Sequence, residues 1–210
     1  MSPVANHVWK DIFGPGSQFN CRWVKTYEEL AEKVIALRKL NQRIVLTMGT
    51  FDILHIGHFR YLEKAKEHGD VLIVGVDSDE KVKRRKGPTR PVVSHDERLE
   101  ALTHIRHVDL IFLKGVDDQK WQLIKTIRPD ILVATEPTYT PEQVEALKEF
   151  CGEIVVLEPQ ATTRTTAKIR RLIVEHMVKL EEALKSARRG ITDQLDGIIS
   201  VLDDIKGGKV

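Results

Sequence analysis

Between residues 43 and 157 the chain alternates short apolar runs with segments of helical period, and that alternation is its strongest constraint. Strands are predicted at 43–48, 71–76, 108–113, 130–134 and 153–157, with helices at 57–68, 94–104, 118–127 and 141–150 between them. Start signals mark several helices: Thr26 with Glu29, Ser94 with Glu97, and Thr140-Pro141-Glu142-Gln143 each have the pattern of a capped first turn. A strand followed by a crossover helix and another strand makes a parallel pair. Repeated, this gives an α/β fold, a doubly wound parallel sheet with helices on both faces.

Three regions follow. Residues 1–22 show no period, are broken at Gly14-Pro15-Gly16, and read as a mobile or loosely docked arm. Residues 23–175 form the α/β domain, in which 78–93, rich in charge and proline, reads as a loop. Residues 176–210 form a C-terminal helical extension. Its apolar stripe runs through Ile169, Leu172, Ile173, Met177, Leu180 and Leu184, then resumes beyond Gly190 as Ile191, Leu195, Ile198, Leu202 and Ile205. Gly190 after Arg188-Arg189 reads as a break between two helices. The second seam, about two heptads long, needs a partner, and a homodimer is expected.

Composition narrows the function classes. A net charge of +2 gives no footprint for a nucleic-acid partner. No apolar run approaches a membrane span, and the N-terminus lacks a signal-peptide pattern. Cys21 and Cys151 have neither metal nor redox spacing, which suits a reducing, cytoplasmic setting.

The chemistry concentrates where the first long strand ends, at Gly49-Thr50-Phe51-Asp52-Ile53-Leu54-His55-Ile56-Gly57-His58. Gly49 lets the chain turn, and Gly57 lets a polyanion approach the start of the next helix without a side chain in the way. His55 and His58, three residues apart, put two imidazole donors on one side of that site. Arg164-Thr165-Thr166, opening the C-terminal helix, combine hydroxyls with exposed backbone N–H groups, a second place to hold phosphates. Asp77, ending the second long strand, lies at the same ligand-facing edge of the sheet.

The ten-residue block resembles the signature of the HxGH nucleotidyltransferases, the cytidylyltransferase-like superfamily. Lys86-Gly87-Pro88-Thr89-Arg90-Pro91-Val92 and the Arg164–Ile169 segment extend the likeness to roughly residues 25–175, most like the bacterial heptose-1-phosphate adenylyltransferases. The resemblance implies a Rossmann-like domain that joins a nucleoside monophosphate to a phosphorylated small molecule and releases pyrophosphate. It implies that His55, His58 and Lys86 are catalytic, with Lys86 closing over the phosphates. Gly49, Thr50, Phe51, Gly57, Arg164, Thr165 and Thr166 would then hold the nucleotide, and Asp52, Asp77 and Arg90 the acceptor. Mg²⁺ is expected through the nucleotide's phosphates, with no dedicated protein metal site.

Gly49-Thr50-Phe51-Asp52 and Arg106-His107-Val108-Asp109 are also similar to segments of glycerol-3-phosphate and phosphocholine cytidylyltransferases, so ATP and CTP both stay open as donors. A non-catalytic nucleotide-binding module is the alternative from another class. It has less need for two imidazoles and Lys86 together.

Overall fold

The computed structural model describes residues 10, 12–136, 138–158, 160 and 165–206, with backbone alone at 165–171 and 204–205. Two compact units divide between Thr162 and Thr163.

The first unit is built on a sheet of six parallel strands in the order β1-β4-β3-β2-β5-β6. These are β1 (Trp23–Val24), β2 (Ile44–Gly49), β3 (Val71–Asp77), β4 (Leu110–Lys114), β5 (Ile131–Thr135) and β6 (Glu153–Leu157). The helices are α1 (Phe19–Arg22), α2 (Tyr27–Lys39), α3 (Ile56–Lys66), α4 (Asp79–Lys86), α5 (His95–Thr103), α6 (Gln122–Ile127) and α7 (Pro141–Leu147). The central strands β2, β3, β4 and β5 are buried on both faces over most of their length, β6 at the edge is partly exposed, and the inward side chains alternate between two cores. Ile44, Leu46, Ile73 and Leu132 pack with Leu30, Val34 and Leu37 of α2 and Ile124 of α6. Val45, Leu72, Val74 and Val133 pack with Leu62 of α3 and Leu99 of α5 on the other side.

The winding reverses at β2: the chain proceeds outward through β3 and β4, then returns to place β5 on the other flank of β2. A cleft opens at such a switch point, beyond the carboxyl ends of the strands, and residues 49–58 leave the sheet there.

Three sequence expectations change. The span 78–93 is not all loop, because 79–86 are the helix α4. Ser78 accepts the Lys81 N–H as its cap, Asp79 and Glu80 occupy the positive end, and Lys83–Lys86 the negative end. Val82, its one buried residue, anchors it. Charge placement along the helix dipole thus offsets a composition that looked loop-like. The described part of the supposed N-terminal arm is packed in place: Ile12 is buried, Phe19 stacks on Trp23, and the Arg22 guanidinium donates to the carbonyls of Thr103 and Asp109. Contacts distant in sequence hold this segment, so no local period announces it.

The second unit contains one helix, α8 (Thr165–Lys206), of 42 residues, and it does not break at Gly190. One glycine inside a helix costs only about 1 kcal/mol relative to alanine, too little to stop a long favourable stripe. Among the described residues no helix is long and apolar enough to cross a membrane.

Candidate active site

The start of α3 is built by its own histidines. His55 is the N-cap; its Nδ1 accepts the Gly57 N–H at 3.1 Å, while His58 Nδ1 accepts the His55 N–H at 3.3 Å. The rings lie 4.0 Å apart between centroids. With both Nδ1 atoms serving as acceptors, each neutral imidazole carries its proton on Nε2. The residues therefore cap the helix through Nδ1 and keep Nε2–H as a donor.

The turn leading to them is strained. Phe51 and Ile53 both adopt left-handed backbone, with φ of 53° and 47°. Each such residue costs on the order of 1 kcal/mol and persists only where its surroundings hold it. Asp52, between them, supplies one restraint: its carboxylate accepts from Arg90 at 2.7 Å and from the backbone N–H groups of Val92 and Val93 at 3.1 Å. Arg98 supplies the other. Only 1% exposed, its guanidinium donates to the carbonyls of Thr50, Asp77 (2.9 Å) and Val93 (3.0 Å) and to the Asp79 carboxylate (2.7 Å). Three loops at the carboxyl edge of the sheet are thereby tied to one buried cation.

Lys86 does not ride on a loop; it is the last residue of α4, just before Gly87 at φ 94°. Its Nζ lies 3.2 Å from Thr50 Oγ1, which also accepts from Arg85 at 2.9 Å. Burial, and after it the neighbouring Arg85 charge, lowers the Lys86 pKa from the usual lysine value. Arg85 bridges from Thr50 to Asp77 at 2.8 Å, and Lys114 meets the other oxygen of Asp77 at 3.1 Å. Burial alone would raise the Asp77 carboxyl, but Lys114 and Arg85 outweigh it and hold it below the ordinary carboxylate range.

Beside these groups lies a cleft of about 330 Å³, lined by Gly49, Asp77, Lys81, Arg85, Lys114 and Tyr139 among others. Lys120 and Asp118 also face it. Four cations against two carboxylates make it a site for an anion that also carries hydrogen-bonding groups. A Cβ on Gly49 would sit 3.0 Å from the Phe51 ring, so a larger residue there would have to shift that ring by a few tenths of an ångström.

Gly49, Thr50, Phe51, Asp52, His55, Gly57, His58, Asp77, Lys86 and Arg90 thus meet at the carboxyl edge of the sheet. The structure nevertheless separates two of the three residues assigned to an acceptor: Asp77 lines the cleft, whereas Asp52 and Arg90 are committed to each other. Arg164 lies outside the described residues, as do the side chains of Thr165 and Thr166. Among the described residues no three His, Cys, Asp or Glu side chains converge as a metal site.

Residues 46–191 match the cytidylyltransferase-like family. The chain belongs to that family. It is 48% identical over 150 residues to the bifunctional protein HldE of a Nitratiruptor species, covering 71% of this chain and 32% of that protein. It is 35% identical over 153 residues to the bifunctional protein HldE of Syntrophotalea carbinolica, covering 71% and 31% respectively. The chain therefore spans about a third of the length of these curated relatives. Among solved structures it resembles the lipopolysaccharide core biosynthesis protein from Thermoplasma volcanium, with a TM-score of 0.50 and 28% identity, covering 55% of this chain and 96% of that one. Pantoate-beta-alanine ligase from Francisella tularensis shares the fold, with a TM-score of 0.52 and 18% identity over 68% of this chain and 67% of that one.

Within this cytidylyltransferase-like domain, Arg98, Arg85, Lys81 and Lys114 belong to the site without a local sequence signal that marks them. Arg98 sits in an ordinary amphipathic pattern, and no local signal separates it from a surface arginine. Arg85 and Lys81 were visible only as members of a basic run. Lys114 ends β4, and parallel pairing sets it beside Asp77.

Proposed function

We propose that this chain is a nucleotidyltransferase that joins AMP from ATP to a sugar phosphate such as heptose 1-phosphate and releases pyrophosphate. The observation that carries the reading is the cation-lined cleft containing Asp77, beside the histidine-capped start of α3 at the sheet's switch point. The resemblance of residues 25–175 to the heptose-1-phosphate adenylyltransferases, and the likeness to a lipopolysaccharide core biosynthesis protein, support the sugar and adenylyl choices.

In this reading an oxygen of the acceptor phosphate attacks the α-phosphorus of the nucleotide in line. A new P–O bond forms as the bond to the β-phosphate oxygen breaks, and pyrophosphate leaves with that electron pair. His55 and His58 donate from Nε2 to the phosphates as charge shifts toward the leaving group. Lys86 turns from Thr50 to the reacting phosphorus. The resemblance gives Arg164, Thr165 and Thr166 the part of holding the departing pyrophosphate. Lys81, Arg85 and Lys114 receive the acceptor phosphate, and Asp77 accepts from sugar hydroxyls. Asp52 and Arg90 act at one remove by holding the 50–58 turn in shape. Mg²⁺ fits on the nucleotide's own oxygens, where it offsets polyphosphate charge, because Asp52 and Asp77 are both engaged by cations. The reaction belongs in the cytoplasm, where nucleoside triphosphates are made.

Thr50, which gives Gly49-Thr50-Phe51-Asp52 its likeness to glycerol-3-phosphate and phosphocholine cytidylyltransferases, favours one second reading, a cytidylyltransferase acting on glycerol 3-phosphate or a phospho-amino alcohol. Pyrophosphate release over four nucleoside triphosphates, each with heptose 1-phosphate, glycerol 3-phosphate, phosphocholine or phosphoethanolamine, separates the cases. ATP with the sugar phosphate is the expected pair. Nucleotide binding without turnover for any pair would make the domain a regulatory module instead.

A further inference from the structure

The continuity of α8 reveals a pattern that the supposed break concealed. Leu180, Ile191 and Leu202 recur every eleven residues, as do Ile173, Leu184 and Leu195. An eleven-residue repeat corresponds to about 3.67 residues per turn, so it stays on one side of a nearly straight helix instead of drifting around it. Every one of these side chains is exposed, Leu184 by 63% and Ile191 by 61%. A 42-residue helix is about 63 Å long, and an apolar stripe of that length is far larger than a soluble surface ordinarily leaves uncovered.

Charge along the helix is polarised. From 165 to 189 there are seven Lys or Arg against three Glu. From 190 to 205 every charged residue is an aspartate: Asp193, Asp196, Asp203 and Asp204. A parallel pair of such helices would set basic half on basic half and acidic on acidic. An antiparallel pair sets each basic half beside the partner's acidic half and matches the stripes along their whole length. In a two-fold interface the same patch appears on both sides, and this helix is self-complementary only in that orientation.

We propose that α8 is a self-association surface, and that two copies of this chain pair antiparallel through the Ile173–Leu202 stripe with a two-fold axis near the helix midpoint. The length of the unbroken stripe and the charge polarity select a second copy as the occupant.

Sedimentation of the full chain at micromolar concentration tests this. The expected species is a dimer that loosens as salt rises, since its halves attract. Leu184→Asp with Ile191→Asp should give monomers, while Val178→Asp, on the opposite side of the helix, should not. Orientation is read from a spin label at Ser200 in a chain with Cys21 and Cys151 replaced by alanine. Antiparallel pairing places the two labels more than ~40 Å apart, whereas parallel pairing brings them within ~30 Å. A monomeric chain, a dimer that survives the stripe substitutions, a dimer that tightens with salt, or the short label distance would each overturn the proposal.

Discussion

The carboxyl edge of the sheet and the helix α8 handle polar and apolar groups in opposite ways. At the edge, charges are inside: Arg98, Asp77 and Asp52 are all buried, and each is matched by named partners within the same unit. Along α8 the large aliphatic side chains lie outside and recur with one period. A region that satisfies its own buried charges is preorganised for chemistry, because its dipoles need not rearrange when charge moves. A region that leaves its apolar stripe exposed is complete only with a partner.

The largest effect is expected at Arg98. Arg98→Ala strips a donor from the carbonyls of Thr50, Asp77 and Val93 and leaves Asp79 without its closest cation. Removing one side of a buried charged network costs about 3–5 kcal/mol. The thermal midpoint should fall by ~10 °C or more. A shift of only a degree or two would mean that the edge is not held by this cation, and the contrast with α8 would collapse.

The histidines sharpen the comparison by separating function from stability. His55→Ala and His58→Ala should each lower kcat by about 100-fold or more, a barrier increase near 3 kcal/mol. The lost cap should cost only about 1 kcal/mol of stability. Turnover and denaturant midpoint, measured on one preparation, give both numbers. Equal losses in the two would reduce the pair to helix capping.

Asp77 gives a smaller effect with a defined pH signature. Its folded pKa lies below the ordinary value of 3.8, so between those two values the unfolded chain binds more protons than the folded one. Its contribution to stability is full above 3.8 and is lost as pH falls through the depressed folded value. Wild type should exceed Asp77→Asn by about 1–2 kcal/mol at neutral pH, with the gap closing only in strong acid. A gap that closes near pH 6 would assign the difference to another group.

The smallest effect tests α8. Nothing lies within 4 Å of a Cβ built on Gly190. Gly190→Ala should therefore stabilise the helix by about 0.5–1 kcal/mol, seen as a raised midpoint in the helical circular-dichroism signal. A loss of helix would restore the hinge that the sequence suggested.

Local signals carried much of this molecule. Thr26, Ser94 and Thr140 cap the helices their spacing announced, and Gly49–His58 leaves β2 at the ligand-facing edge. The charged span 78–93 was less legible, since a short helix with one buried residue has almost no apolar period to read. Gly190 misled for a related reason: a terminating dipeptide and glycine are visible locally, while the eleven-residue phase that runs through them spans most of the helix.

By itself, then, the sequence determined the alternation of strands and helices, the caps and the histidine signature, because each depends on residues within a turn or two of one another. The tertiary structure decided which charges meet. Arg98 reaches Thr50 across 48 residues and Lys114 reaches Asp77 across 37, through strands paired in the order β4-β3-β2. That order decided that Asp77 pairs with Arg85 and Lys114 in the wall of the cleft while Asp52 pairs with Arg90, a distinction between two aspartates that no local pattern carries. The physical reason is range: periodicity and capping act over a few ångströms of contiguous chain, whereas the partner of a buried charge is set by which distant loops the sheet brings together.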